Sequence, residues 1–288
     1  MSILCSTFQD VRERAAKFCS ERDWQKFHLP PSITLALSGE CGELCEIFQW
    51  KGSLERNPNG EHWSPREIEH IGEEMADVFI YTTRLSDICN IDLAHAVKYN
   101  TQTNCGKRHN NEKWTDLKLD GLASQANHRS QRHVCFDLVS EVGKLTALFS
   151  MHSEEDSGVG LTSWDSVGIS SLARHMGRIC LLLASLSRFG GHSLAKCVDD
   201  KLKKNALKYP ADKARGSSAK YTAYTRMLST GYWQKVTSWC CWGVGVGVFI
   251  LYTDMIFGLG LKTGFAITTG KGMHQDIVGG SIVGKLIM

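Results

Sequence analysis

Across residues 32–85 the apolar positions recur at three- and four-residue intervals, which predicts two long amphipathic helices. In the first, over residues 35–50, stepping about 100° per residue places Glu40 and Glu43 on the face that carries Leu44 and Ile47. In the second, the same wheel groups Glu74 and Asp77 with Val78, Tyr81 and Leu85. Upstream, residues 7–23 read as a helix opened by Thr7, with Asp10 three positions on and Phe8, Val11, Ala15 and Phe18 along one side. Residues 24–31 form a loop, and Pro30-Pro31 forbids continuation of that helix while priming the next, with Ser32 as its cap or first-turn residue. A turn-rich connection over 52–64 ends at Ser64-Pro65, a cap followed by proline at the first helical position. The helix it opens runs to about Ile88, and Ile91-Asp92-Leu93 restarts the chain in a fourth, so the fold class is all-α.

The pattern then repeats. Glu40-Cys41-Gly42 matches Glu141-Val142-Gly143, Phe48 matches Phe149, Trp63 matches Trp164, Leu85 matches Leu186 and Asn104 matches Asn205, all at the constant offset 141 − 40 = 101. An offset without insertions argues for tandem duplication. The expected division is residues 1–109 as a first copy, 110–132 as a polar, aperiodic linker, 133–224 as a second copy lacking the first helix, and 225–288 as a hydrophobic, glycine-rich tail. The second copy does not keep the acids. Glu43 becomes Lys144, Glu74 becomes His175, Asp77 becomes Arg178, Tyr81 becomes Leu182 and Trp50 becomes Met151.

Composition narrows the function classes. The chain of 288 residues carries 33 basic and 30 acidic residues, net +3, without the basic stripe and interleaved aromatics that track a nucleic-acid backbone, so no nucleic-acid partner is expected. Eleven cysteines without a signal peptide read as reduced thiols in a cytoplasmic protein, and Cys41, Cys45, Cys89 and Cys180 fall on core faces. Cys41 and Cys45 stand one helical turn apart; core packing, rather than a soft-metal site, is the expectation for them.

The acids on the apolar stripes carry the chemistry. An ionised carboxylate taken out of water loses several kcal/mol of hydration unless a positive partner replaces it, and neither stripe supplies a lysine or arginine. If the two helices pack together, Glu40, Glu43, Glu74 and Asp77 converge as hard oxygen ligands suited to Mg²⁺, with water and substrate phosphates completing the shell. Two other readings stand beside this one. A single Glu-x-x-Glu is common on solvated helix faces, and a ferritin-like di-iron bundle needs Glu-x-x-His on two helices, where Glu67 and His70 supply only one.

Glu21-Arg22-Asp23-Trp24, Phe27-His28, Gly39-Glu40-Cys41-Gly42-Glu43-Leu44, Phe48-Gln49-Trp50-Lys51-Gly52, Trp63-Ser64-Pro65-Arg66-Glu67 and the run from Glu73-Glu74 through Asp77 to Tyr81 together resemble the all-α, MazG-like nucleoside triphosphate pyrophosphatases, most closely the dCTP pyrophosphatases. The resemblance covers residues 8 to about 104. It implies a four-helix bundle and Mg²⁺-dependent hydrolysis of a nucleoside triphosphate, dCTP or a modified dCTP, to the monophosphate and pyrophosphate. Trp24 and Trp50 would then stack the base with His28 and Tyr81 nearby, and one of the acids or Glu73 would orient water. Lys51 and Arg22 either contact phosphate or are solvated.

In such enzymes the site lies between subunits. The family's closing segment is kept here only in the second copy, over residues 201–210, whereas residues 100–109 have diverged from it. The expected arrangement is an intramolecular pseudo-dimer with one live site, acids from the first copy and Lys201, Asn205 and Tyr209 from the second, able to associate further with other chains. A helical nucleotide-binding or interaction protein that has lost turnover is the alternative. Similarity to the family ends near residue 222, and residues 239–261 are apolar apart from Asp254, long enough to span a bilayer but weakened by glycines and that aspartate.

Overall fold

The computed structural model describes residues 7–50, 63–105, 117–125, 130–189 and 191–218, with the backbone alone for 102–105 and 123–125. Local chemistry starts its helices where the capping signals lie. Helix α1 (Phe8–Glu21) begins with a reciprocal cap: the Asp10 amide donates to Thr7 Oγ1 at 3.1 Å and the Thr7 amide to Asp10 Oδ2 at 2.9 Å. After a 3₁₀ turn (Gln25–Phe27), α2 (Pro30–Gln49) takes Pro30 as its first residue, where a missing N–H costs nothing. Helix α3 (Pro65–Ile88) repeats the device with Ser64 and Glu67, so the Glu67 of the di-iron reading caps a helix. Helix α4 (Leu93–Cys105) follows Asp92, whose carboxylate accepts from the His95 amide at 2.9 Å.

The remaining elements are a 3₁₀ turn (Asp120–Gln125), α5 (Gln131–Ser150), α6 (Ser166–Phe189), α7 (Leu194–Lys208) and the short α8 (Ala211–Ala214). Their bounds keep the sequence offset: α5 starts at 131 against 30 for α2, α6 at 166 against 65 for α3, and α7 at 194 against 93 for α4, each a difference of 101. Details recur with it. Phe48 meets Trp63 at 5.5 Å and Phe149 meets Trp164 at 5.0 Å. The two 24-residue helices are each followed by a left-handed residue, Asn90 (φ 56°) after α3 and Gly191 (φ 64°) after α6. The next amide then closes back, Ile91 onto the Ser86 carbonyl at 2.8 Å and His192 onto that of Ser187 at 2.9 Å.

Packing exchanges elements between the halves. Helix α2 lies on α3 and α5 on α6, but α4 packs against α6 and α7 against α3. Helices α2 and α5 run antiparallel, with Ser38 Oγ 3.3 Å from Thr146 Oγ1 and Arg132 donating to the Gln49 carbonyl at 3.0 Å. One continuous apolar core results, with Leu37, Leu44, Met75, Phe79, Leu138, Leu145, Leu172 and Met176 fully buried. Helix α6 is long and apolar enough to cross a membrane, but it is a central element of this core.

Within the stretch read as linker, Leu119 and Leu122 are buried and the 3₁₀ turn packs on α6. Asp120 ties this turn to the start of α7 by accepting from Ser193 Oγ at 2.7 Å and from the Ala195 amide at 3.2 Å. Cys41, Cys89 and Cys180 are buried as expected, and Cys45, half-buried, lies against the Cys135 carbonyl of α5. Residues 239–261, the span considered for a membrane, lie outside the described residues.

The α4–α6 crossing depends on Gly177, where a Cβ would sit 2.6 Å from the Ala96 carbonyl and 2.7 Å from Asn100 Nδ2. Gly177→Val is therefore expected to lower stability by about 2–3 kcal/mol, because two backbones must move apart. Chemical denaturation measures this, and an unchanged midpoint would show the helices less closely apposed.

Candidate metal and nucleotide site

Glu40 comes from the middle of α2, and Glu74 and Asp77 from adjoining turns of α3. Their carboxylate oxygens lie within 4.8 Å of one another, the only such grouping of potential ligands among the described residues. Glu74 is buried and the other two partly so. Like charge at this spacing is resisted: burial first, then Asp77, Glu43 and Glu74, push the Glu40 carboxyl up to about 7. Burial also raises Glu74 and Asp77, with Lys201 pulling the other way.

Glu43 does not join them. Three residues on from Glu40 it sits about 60° round the helix, and it is exposed at the rim. Glu73 is turned to a Lys204 ion pair that also takes Glu69 at 2.7 Å.

The counter-charge absent from the two stripes arrives from the second half. Lys201, on α7, places Nζ against Asp77 Oδ2, both side chains being largely buried. Burial opposes the Lys201 charge, but Asp77, Glu74 and Glu73 raise its pKa on balance. One ammonium leaves three convergent carboxylates short of neutrality. Glu74 Oε1 meets His70 Nε2 at 3.2 Å, whereas Glu74 Oε2 is buried without a hydrogen-bond partner. An orphaned carboxylate oxygen among hard oxygen donors fits a divalent cation such as Mg²⁺.

From the acids a cavity of about 280 Å³ opens along α3. Of the residues expected at the site, Trp24, His28, Glu40, Asp77, Tyr81, Asn205 and Tyr209 line it, joined by Phe18, Phe27, Ile80, Arg84 and Lys208, whereas Lys201 does not. Trp24 meets Tyr209 edge-on at 5.3 Å and donates from Nε1 to the Ala214 carbonyl at 3.0 Å, so it also fastens the chain that follows α7.

Two expectations need correction. Trp50 does not line this cavity; it terminates α2 and is 88% exposed, as its counterpart Met151 is at 75%. Arg22 is neither solvated nor on a phosphate. It is buried, stacks on Phe18 at 3.6 Å and donates to the Tyr209 carbonyl at 2.7 Å. Lys51 lies outside the described residues. Arg84 was legible as a site residue in hindsight, because positions 77, 81 and 84 share one helix face.

The corresponding place in the second half is closed by its own charges. Glu141 accepts from His175 Nδ1 at 2.7 Å and Lys144 Nζ at 3.0 Å, with Arg178 Nε at 4.0 Å. Although burial opposes it, His175 and Lys144 hold the Glu141 carboxyl down at about 2. Lys144 and Arg178 stand there in place of Glu43 and Asp77.

A helical protein with an acidic cluster at the mouth of an aromatic cavity is the class that fold and site define. No family model matches the chain. Among curated proteins it is similar to dCTP pyrophosphatase 1 of Bos taurus (46% identical over 98 residues, 34% of this chain and 57% of the relative). It is likewise similar to that of Homo sapiens (50% over 91 residues, 32% and 52%) and of Rattus norvegicus (45% over 98 residues, 34% and 56%). The chain thus spans about half the length of the relatives it matches, and this partial similarity supports a relationship to the dCTP pyrophosphatases.

Proposed function

We propose that the chain is a Mg²⁺-dependent nucleoside triphosphate pyrophosphatase that hydrolyses dCTP or a modified dCTP. The observation that carries this is the orphaned, buried Glu74 Oε2 among the convergent Glu40, Glu74 and Asp77 carboxylates at one end of an aromatic cavity. Partial identity to dCTP pyrophosphatases supports the choice of substrate.

In the reaction water adds to the α-phosphorus and its bond to the bridging oxygen breaks, leaving a monophosphate and pyrophosphate. Mg²⁺ held by Glu40, Glu74 and Asp77 would supply charge neutralisation on phosphate oxygens, the main demand of phosphoryl chemistry. Glu43 adds negative field at the rim. Lys201, through its pair with Asp77, and Lys208, in the cavity wall, bring positive charge to the polyphosphate side, while Phe18, Trp24, Phe27 and Tyr209 enclose the base and keep water from it.

The two halves act as an intramolecular pseudo-dimer with one working centre. Three helices recurring at one offset, the exchange of α4 and α7, and the reach of Lys201 to Asp77 support this. The self-neutralised Glu141 cluster leaves no comparable place among the described residues of the second half.

A panel of triphosphates tests the proposal. Magnesium-dependent pyrophosphate release, strongest with dCTP-like substrates, is expected; binding without cleavage would identify a nucleotide-binding protein that has lost turnover.

A further inference from the structure

We propose that Arg84 is a positioning residue that fixes His28 in the tautomer bearing its proton on Nε2, so that the cavity selects a nucleobase presenting a hydrogen-bond acceptor to that nitrogen. This rests on the nucleotide reading above. Asp77 and Arg84 lie two turns apart on one face of α3, about 10 Å along the axis, so the acids and the His28–Arg84 pair occupy different ends of the same cavity.

His28 follows the 3₁₀ turn, and its Nδ1 lies 3.1 Å from Arg84 Nε and 3.4 Å from Cys19 Sγ. A guanidinium N–H can only donate. Nδ1 therefore accepts, and a neutral ring carries its proton on Nε2, the nitrogen with no protein partner among the described residues. Arg84 is itself held: Asp87 Oδ2 accepts from Nη1 at 2.5 Å, and Asp87 Oδ1 lies 3.6 Å from Arg12 Nε on α1.

The charged and titratable groups around the ring are thus Arg84 and Asp87 from α3, and Cys19 and Arg12 from α1. Burial, then the Arg84 charge, lower His28 to about 4, and burial raises the Cys19 thiol, so both stay uncharged at neutral pH. The imidazole offers one donor in one orientation. A ring nitrogen or carbonyl oxygen satisfies it, whereas an amino group at the same edge meets donor against donor.

Nitrogen-15 correlation spectra of the full chain, with His28→Gln for assignment, read the tautomer directly. Wild type should show Nε2 protonated. In Arg84→Met the ring should become a tautomer mixture that titrates closer to the ordinary histidine range, and KM for dCTP should rise about tenfold with kcat within about twofold. Inhibition by inorganic tripolyphosphate should not change. Arg84→Lys, which keeps a donor-only group, should restore the tautomer and bring KM within about threefold of wild type.

A proton on Nδ1 in wild type would overturn the proposal, as would Arg84→Met with an unaltered ring and KM, or weakened tripolyphosphate inhibition, which would place Arg84 on phosphate. If Arg84→Met does not fold, the wild-type and Arg84→Lys spectra decide. The spectra need no turnover, so their outcome is separate from failure of the hydrolase reading, which would appear as no pyrophosphate release by wild type.

Discussion

Glu40→Gln is expected to cut pyrophosphate release on the order of a thousandfold while raising the melting temperature of the metal-free protein. The opposed signs follow from one cause. Burial and the neighbouring acids push the Glu40 carboxyl of the folded chain up from its ordinary 4.5 to about 7. A carboxyl whose pKa is raised on folding lowers stability as pH climbs from about 4.5 through 7, and the penalty is fully present above that window. The amide has no charge to resist. Metal-free wild type should therefore melt at progressively lower temperature across that pH window, and Glu40→Gln should show a flatter profile. Added Mg²⁺ should stabilise wild type at pH 8 far more than the variant. Equal pH profiles for the two proteins would mean that Glu40 does not feel the other acids.

Lys201→Met is expected to do the reverse to stability and the same to activity. Losing the ammonium strips Asp77 of its cross-half partner, and breaking a buried pair on one side costs about 3 kcal/mol in the metal-free protein near neutral pH. The loss should fade in acid, where Asp77 takes up a proton, and a dication should offset it, so the Mg²⁺-induced melting shift should exceed that of wild type. Activity should fall about a hundredfold, since the polyphosphate loses a fixed cation. Thermal melts with and without Mg²⁺, alongside pyrophosphate release, separate the two variants. Full activity in Lys201→Met would make the second half a packing partner only.

What the sequence made legible was local. The Thr7 and Ser64 caps and the prolines at helix starts are short-range signals, and α1, α2 and α3 begin where they say. Glu74 and Asp77 share one face of α3, the face on which the helical wheel groups them.

The rest depended on contacts between distant segments. Glu43 lies on the same arc as Glu40, but only the seating of α2 on α3 decides which of the two turns inward. Trp50 caps the end of α2 and is exposed, so the apolar pattern that carries it stops being a burial pattern after Phe48. Arg22 reads as a surface cation until the chain after α7 returns to cover it, leaving its guanidinium between Phe18 and the Tyr209 carbonyl. Leu119 and Leu122 are two apolar residues in a polar run, too few for a period, and are buried because the 3₁₀ turn packs on α6. Arg84 and His28 are 56 residues apart and meet only across the fold.

The most direct measurement is an anomalous-difference map from crystals containing Mn²⁺ and a non-hydrolysable dCTP analogue. A peak between Glu40, Glu74 and Asp77, with the base among Phe18, Trp24 and Tyr209, is the predicted result. No peak there, or a metal bound at Glu141 instead, would contradict the central assignment.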